Sequence, residues 1–379
     1  MKFQMDFHRE RQWYRYLLAA KKRVVLKNAD DGKIVCISGN PGEKEENMKK
    51  VWKTTAVLTA AVLAMGMTTA AFAQEDAAEL KKVTVILDYV PNTNHTGMYV
   101  ALDKGYYEEE GLDVEIIEPT DGATATLIAQ QKGTFGISYQ EDVTIALTAE
   151  DPLPIRAVAT LIQHNTSGFV SLADSGIESP ADFEGKTYAG WGGPGESAVL
   201  EACMTQAGAD FSKLNIVVSD GSGFEALGKS CDLMWFFEGW DCIMASMNDC
   251  ALNYMELRQL DERLDYYTPV IITSDAVIDE DPEMVSAFLR ATEKGYKDAI
   301  ADPDAAAEVL SSHVPDYDPE MLKLSQEYLA DKYMEDTEVW GEMKDEVWDN
   351  YTAFLQEYGV IDKALPASDC YTNEFLAQN

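Results

Sequence analysis

A short polar run, DYVPNTNHTG from Asp88 to Gly97, has the composition of a ligand-binding loop. It follows the β-branched segment KKVTVILDY, which predicts a strand ending at Asp88 and Tyr89, and it leads into a helical pattern. Asn92 and His95 stand at the start of that helix, where backbone N–H groups are also free. Simple N-capping, the structural alternative, needs only one such side chain. The concentration of polar groups beside an aromatic residue therefore favours a small-molecule site.

Two further segments place candidate residues after predicted strands. In GISYQEDV, residues 136–143, Tyr139 and Gln140 follow an apolar run. In WFFEGWD, residues 235–241, Glu238 follows another apolar run. A loop carboxylate that only contacts water would have the same sequence setting. Ligands of α/β proteins bind at the carboxyl ends of strands, so these three side chains are candidate binding residues.

The segment KTYAGWGGPGESA, residues 186–198, predicts a strand, a glycine loop and a helix. Free N–H groups at that helix start could hold a ligand oxygen. A plain helix-start turn explains the glycines almost equally well, and their spacing lacks the pattern of a nucleotide loop. The candidate residues in this segment are Trp191, Gly192, Gly193 and Gly195.

The sequence lacks the residue patterns of common catalytic and metal sites. Beyond residue 73 the only histidines are His95, His164 and His313, and neither HExxH nor GxSxG occurs. The cysteines beyond that point show no CxxC pair and no zinc spacing, which leaves buried thiols or one or two unassigned disulfides. These cysteines are Cys203, Cys231, Cys242, Cys250 and Cys370. The sequence therefore favours a binding protein without metal or cofactor over an enzyme.

Residues 48–73, MKKVWKTTAVLTAAVLAMGMTTAAFA, have the layout of a secretory signal peptide. A basic start precedes an apolar stretch, and the small-x-small triplet at 71–73 predicts cleavage before Gln74. The apolar stretch is shorter than the roughly 20 residues of a membrane span. We therefore expect export across the cytoplasmic membrane, to the periplasm or cell surface. Translation is expected to begin at Met48, with residues 1–47 as an upstream extension outside the mature fold.

The predicted mature chain is strongly acidic. The 379 residues carry a net charge of −36, and residues 1–73 hold 13 Lys+Arg against 7 Asp+Glu, which leaves −42 for the remaining 306 residues. Such a surface argues against nucleic acid or an anionic membrane as partner. Its simplest role is solubility, and it does not specify the ligand.

Strand and helix patterns alternate along the mature chain, which predicts βαβ units and a largely parallel sheet. The alternation restarts near His164, so we expect two α/β lobes with a cleft between them. Lobe 1 is predicted at residues 82–165 plus 270–379, and lobe 2 at 166–269. The chain would cross between them near residues 164–172 and 266–274. The helical C-terminal tail is expected to pack on lobe 1, with Trp348, Tyr351, Leu355 and Tyr358 as core residues.

Four of these segments together resemble a known family. LDYVPNTNHTGMYVALDKGYYEEEGLDVEI, residues 87–116, resembles the start of the domain shared by bacterial binding proteins for pyrimidine and riboflavin precursors and by fungal thiamin-pyrimidine synthases. GISYQEDV, KTYAGWGGPGESA and WFFEGWD fit in order and spacing, over roughly residues 82–300. PNTNHTG is similar to the branch that binds the formylated aminopyrimidine salvaged for thiamin. The wider group includes sulfonate- and nitrate-binding proteins.

This resemblance implies a type II periplasmic-binding fold that closes on a flat heteroaromatic ring. Tyr89, Tyr139 and Trp191 would stack the ring, and Glu238 would accept a hydrogen bond from its exocyclic amine. Asn92 and His95 would face the cleft. The implied partners are an ABC permease and its ATPase. Riboflavin or a sulfonate-type solute remains an alternative ligand, and a pyrimidine synthase is disfavoured because the cysteine-rich CCCFC motif of the fungal enzymes is absent.

Overall fold

The computed structural model describes residues 80–119 and 123–377. The expected signal peptide at 48–73 and the extension at 1–47 lie outside these ranges. Within them, ten strands form two five-stranded sheets covered by helices, which confirms the predicted fold class of two α/β lobes with a helical C-terminal part. No helix in the described ranges is long and apolar enough to cross a membrane.

The first sheet combines strands from two distant parts of the chain. They are β1 Lys81–Ile86, β2 Leu112–Ile117, β3 Phe135–Ser138, β4 Ile155–Thr160 and β10 Val270–Ser274. Their order is β2-β1-β3-β10-β4. β1 pairs in parallel with β2 and β3, whereas β10 runs antiparallel between β3 and β4. The carboxyl ends of β1 and β3 therefore lie at the same edge, as the candidate residues after them require.

The second sheet contains the strands between residues 167 and 256. They are β5 Ser167–Leu172, β6 Thr187–Gly190, β7 Asn215–Val218, β8 Leu233–Phe237 and β9 Leu252–Glu256. Their order is β7-β6-β8-β5-β9, with β6 parallel to β7 and β8 and with β5 antiparallel to β8 and β9. The glycine loop after β6 and Glu238 after β8 thus leave the same edge of this sheet.

Short helices connect the strands of both sheets. They are α1 Thr96–Asp103, α2 Tyr106–Glu109, α3 Thr124–Ala129, α4 Gln140–Thr148, α5 Pro194–Gln206, α6 Ile243–Met247 and α7 Leu257–Leu260. The helical pattern that the sequence shows after the loop at residues 88–97 is divided in the structure, where the chain breaks the helix at Gly105. That residue has φ 74°, a left-handed conformation that ends a helical turn and that glycine adopts without strain.

Three of the six C-terminal helices in the described ranges begin at Asp-Pro pairs. They are α8 Asp275–Glu280, α9 Pro282–Ala301, α10 Pro303–His313, α11 Pro319–Ala330, α12 Asp345–Glu357 and α13 Ala367–Cys370. Asp281, Asp302 and Asp318 each accept a backbone N–H as N-cap, and a proline follows at the first helical position. Each cap stabilises its helix by about 1 kcal/mol.

The tail packs on both lobes, whereas the sequence predicted lobe 1 alone. In α12, Trp348 joins the core under the first sheet, while Tyr351 and Leu355 join the core of the second. The ring of Tyr351 stacks on Tyr266 at 4.1 Å between centroids. The predicted core role of Trp348, Tyr351 and Leu355 is confirmed, because all three are fully buried.

The two crossings between the sheets lie side by side. His164 Nδ1 is 2.6 Å from Asp265 Oδ2, and the backbone N–H of Asn165 donates to Asp265 Oδ1 at 2.9 Å. Asn165 also donates from its side chain to Leu264 O at 2.8 Å. These bonds tie residues 164–165 to residues 264–265, so the chain passes between the lobes at one place in space.

The five cysteines of the described residues form no disulfide. Cys203, Cys231 and Cys370 are buried, and burial raises the pKa of the Cys203 and Cys370 thiols to about 12. A thiol that stays protonated at neutral pH is a poor nucleophile. Of the two alternatives left by the sequence, the structure therefore contains free thiols, three of them buried and two half-buried.

Helices α1 and α9 approach so closely that each needs a glycine at the contact. A Cβ at Gly295 would overlap Gly97 O and Ala101. We predict that Gly295→Ala lowers the free energy of unfolding by about 1–3 kcal/mol in urea titrations, because this overpacking outweighs the gain in helix propensity. Lys297→Ala, on the exposed side of α9, should change it by less than about 0.5 kcal/mol. Equal stability of the two variants would contradict the close contact.

Candidate functional site

Asp88 organises the end of β1. Its Oδ1 is 2.8 Å from His95 Nε2, and Tyr139 OH donates to its Oδ2 at 2.8 Å, which links the ends of β1 and β3. The carboxylate is almost buried. Burial alone would raise the pKa of Asp88, but the interaction with His95 and the hydrogen bonds from His95 and Tyr139 together hold it below the ordinary value. Asp88 is therefore an ionised, rigidly held group.

The polar side chains of the following loop are mostly used in building the loop. Asn92 Oδ1 accepts from the backbone N–H of Asn94, and its amide donates to Val90 O at 3.0 Å. The N–H of Asn92 donates to His95 Nδ1 at 3.1 Å, so His95 Nε2 carries the proton that faces Asp88. His95 is fully buried and does not face the cleft as expected. Capping, the alternative interpretation, accounts for both residues.

Of the remaining first-lobe candidates, two retain accessible aromatic surface and one does not contact the cleft. Tyr89 is 42% exposed, and Tyr139 is half-buried with its hydroxyl on Asp88. Gln140 is fully buried, and both ends of its amide are occupied. It accepts from the Tyr267 N–H at 2.9 Å and donates to Val347 O at 3.1 Å. Gln140 therefore joins β3 to the second crossing and to α12, a structural role.

In the second lobe, Glu196 organises the glycine loop. Its Oε2 accepts from the N–H of Gly192 at 2.6 Å, and its Oε1 accepts from Tyr188 OH at 2.6 Å and from the N–H of Trp191 at 3.2 Å. The N–H of Gly192 is therefore already bonded within the protein, contrary to its expected role in holding a ligand oxygen. Gly193 is the N-cap of α5. Burial raises the pKa of Glu196, although these hydrogen bonds oppose the rise.

An aromatic surface stands beside this loop. Trp191 is 49% exposed, and its ring centroid lies 5.1 Å from that of Trp235 at an angle of 59°. Trp235 is nearly buried, and Phe169 contacts its ring edge-on at 5.5 Å. Burying so large an exposed indole face is favourable, so Trp191 suits a flat ring as a stacking partner.

Glu141 brings the two lobes together. It lies in the first turn of α4, and a Cβ at Gly195 in the first turn of α5 would overlap its carboxylate, so the carboxylate lies directly against the start of that helix. Tyr351 OH donates to Glu141 Oε2 at 2.6 Å. Burial, together with the nearby charges of Asp142 and Glu196, raises the pKa of Glu141 to about 7. Burial and the charge of Asp88 raise the pKa of Asp142 to about 6.

Asp88, Glu141, Asp142 and Glu196 form a group of acids, here called the carboxylate cluster, and among the described residues their only basic partner is His95. Among the described residues, no lysine or arginine forms an ion pair with any of them. A ligand that brings N–H donors or positive charge would lower the raised pKa values of Glu141, Asp142 and Glu196, whereas an anion would raise them further.

Glu238 lies at the carboxyl edge of the second sheet, beside the first crossing. It opens a short π-helical turn, Glu238–Cys242, and its backbone N–H donates to Thr166 O at 2.9 Å. Tyr328 OH of α11 donates to its Oε2 at 2.6 Å. Within the described part of the chain it shares no hydrogen bond with the carboxylate cluster. Glu238 is half-buried, and within the described ranges no side chain donates a hydrogen bond to its Oε1.

Sequence reasoning missed three members of the carboxylate cluster, and local signals could have found them. Glu196 is the third helical residue after Gly193, the position at which an acidic side chain reaches back to cap a helix. Glu141 and Asp142 lie in the first turn of α4, where the helix dipole favours negative charge. Their meeting across the two lobes is a tertiary effect that these local signals do not contain.

The raised pKa of Glu141 predicts a pH-dependent cost of folding. Its pKa rises from 4.5 to about 7, so the folded protein loses stability as pH rises between these values, and the loss is complete above them. Glu141→Gln keeps an acceptor for Tyr351 without the charge. We expect it to unfold with about 1–3 kcal/mol more free energy than wild type at pH 8 and with little difference near pH 4.

The measurement is urea unfolding across this pH range. Glu201→Gln removes an exposed charge from α5 and should follow wild type at every pH. If Glu141→Gln raised the free energy of unfolding by the same amount at every pH, the result would contradict a Glu141 carboxylate that titrates in this range.

Comparison with known proteins finds relatives named as binding proteins and relatives named as synthases. The family model described as NMT1/THI5 like matches residues 92–306. The formylaminopyrimidine-binding protein of Halalkalibacterium halodurans is 28% identical over 78% of this chain and 90% of its own length. The riboflavin-binding protein RibY of Chloroflexus aurantiacus is 24% identical over 81% and 90%, respectively. A 4-amino-5-hydroxymethyl-2-methylpyrimidine phosphate synthase of Legionella pneumophila is 24% identical over 78% and 92%.

The fold has solved counterparts. The alkanesulfonate-binding protein SsuA of Xanthomonas axonopodis, bound to MOPS, superposes with a TM-score of 0.60 over 78% of this chain and 99% of that protein, at 11% identity. That similarity establishes the architecture of a periplasmic solute-binding protein. Because the family model spans more than half of the sequence, the chain belongs to the NMT1/THI5-like family.

Proposed function

We propose that this chain is the extracytoplasmic solute-binding component of an ABC importer and that it captures a thiamin-precursor aminopyrimidine. The ligand would be formyl-aminopyrimidine or hydroxymethylpyrimidine, bound between the two sheets. The observation that carries the proposal is the carboxylate cluster beside exposed aromatic rings, without a lysine or arginine partner among the described residues. The partners would be the permease that receives the ligand and its ATPase.

The chemistry of an aminopyrimidine matches these groups. The ring is flat, so Trp191 and the rings of Tyr89 and Tyr139 would supply stacking surface. Its exocyclic amine donates hydrogen bonds, and a carboxylate accepts them more strongly than a neutral group does. Glu238 is the proposed acceptor at the base of the cleft. The formylaminopyrimidine-binding relative, which aligns over most of both chains, supports the same ligand class.

Two other ligand classes fit less well. A sulfonate needs cationic or N–H donors, but the N–H of Gly192 is bonded to Glu196 and the nearby side chains are acidic. Riboflavin also stacks on aromatic rings, and a riboflavin-binding relative exists, so it remains the competing ligand. The synthases among the relatives raise an enzymatic alternative. The absence of CCCFC from the sequence, and of a HExxH or GxSxG motif, supports binding instead.

Calorimetry with a ligand panel tests the proposal. The purified protein should bind formyl-aminopyrimidine or hydroxymethylpyrimidine at 1:1 stoichiometry, with a Kd of about 1 μM or lower, near −8 kcal/mol. Thiamin and taurine should bind far more weakly. Tight binding of riboflavin alone would contradict the pyrimidine assignment, and formation of hydroxymethylpyrimidine phosphate by the isolated protein would contradict the non-enzymatic function.

A second test concerns Glu238. Glu238→Gln keeps an oxygen for Tyr328 but loses the charge, so the affinity for the aminopyrimidine should fall by roughly 1.5–3 kcal/mol, the scale of a charged hydrogen bond. Glu225→Gln removes an exposed carboxylate from the same lobe and should bind like wild type. An unchanged affinity for Glu238→Gln would exclude this side chain from the site.

A further inference from the structure

Helix α11 contacts both candidate loops through two side chains one turn apart, Ser325 and Tyr328. Ser325 Oγ donates to Gly239 O, in the turn that follows β8. The same oxygen lies 2.6 Å from Thr93 Oγ1, in the loop that follows β1. Since a serine hydroxyl has one proton, Thr93 donates to Ser325 and Ser325 donates to Gly239. One hydroxyl thus joins a loop of the first lobe to a turn of the second.

This junction is buried and closely packed. Thr93 is 1% exposed and Ser325 is fully buried, so loss of either bond would leave a buried hydroxyl or carbonyl without its partner. Tyr333 OH donates to Thr93 O at 2.7 Å and so holds the loop after β1 in place. The ring of Tyr328 fills the space that a Cβ at Gly239 would occupy, and its hydroxyl holds Glu238. The contacts leave the turn after β8 little freedom relative to α11.

We propose that Ser325 is a positioning residue for ligand binding, whose hydroxyl holds the loop after β1 and the turn beginning at Glu238 in a fixed relation. The role rests on the proposed function, because it assumes that these two segments line the ligand cleft. Ser325 acts through the sequence neighbours of its two partners. Close to Thr93 in sequence lie Tyr89, Asn92 and Asn94, and Glu238 directly precedes Gly239. A residue of the tail thereby aligns acceptors that belong to different lobes.

Hydrogen–deuterium exchange of the ligand-free, full-length protein tests the link without any ligand. Ser325→Ala leaves Thr93 Oγ1 and Gly239 O without their partner, so amides in residues 89–95 and 238–245 should both exchange roughly tenfold faster. Thr93→Val removes only the first bond and should accelerate residues 89–95 alone. This second variant keeps the test decisive if Ser325→Ala folds poorly.

Thr292→Val is the matched control. The hydroxyl of Thr292 is equally buried, lies 3.0 Å from Tyr107 OH and donates to Phe288 O at 2.7 Å, away from both segments. Its loss should lower thermal stability by a similar amount without changing exchange in either segment. A purely structural role for Ser325 would make the two variants alike.

Binding of formyl-aminopyrimidine by the same variants completes the test. Ser325→Ala should weaken it roughly tenfold, about 1.4 kcal/mol, and Thr292→Val by less than about twofold. Unchanged exchange in either segment of Ser325→Ala, equal acceleration in Thr292→Val, or unaltered affinity despite faster exchange would each overturn the positioning role. A wild-type protein that binds no ligand of the panel would overturn the proposed function, and the exchange data identify that case because they need no ligand.

Discussion

The two lobes are arranged around buried acids that no lysine or arginine of the described residues pairs with. Asp88, Glu141, Asp142 and Glu196 gather where strands end and helices begin, and burial raises the pKa of three of them. Removing an unpaired carboxylate from water costs several kcal/mol. A protein selected for stability alone would place an arginine there or exclude the acids. Functional sites are where such local costs are retained.

The hydrogen bonds to the acids of the cluster and to Glu238 come mainly from tyrosines and backbone N–H groups, with His95 as a further donor to Asp88. Tyr139, Tyr188, Tyr351 and Tyr328 donate to Asp88, Glu196, Glu141 and Glu238, at 2.6–2.8 Å. A phenol fixes a carboxylate in place but brings no positive charge, so the acid keeps its attraction for an N–H donor. Lysine or arginine in the same position would compete with the ligand. The choice of tyrosine therefore favours an amine-bearing ring over an anion.

Local patterns gave much of this architecture, and long-range contacts account for the rest. The β-branched runs after residue 80, the Asp-Pro pairs and the stripe containing Trp348 predict strands, helix starts and core from neighbouring residues alone. Strand β9, LNYME, was missed because its alternation is weak and it lies at a sheet edge. The roles of Gln140 and Ser325 were invisible for another reason. Their partners lie 127 and 232 residues away, at Tyr267 and Thr93.

Glu141 explains how ligand charge and lobe approach can be linked. Its carboxylate lies against the start of α5, where a helix dipole favours the ionised form, but burial and the neighbouring acids keep its pKa near 7. Burial and the charge of Glu196 in the other lobe both raise this pKa, so the lobe contact favours the protonated form of Glu141. A ligand that brings N–H donors or positive charge between the lobes would lower the pKa and offset the cost of ionising Glu141 there, whereas an anion would add to that cost. Selection by charge therefore follows from the acids that the lobe contact brings together.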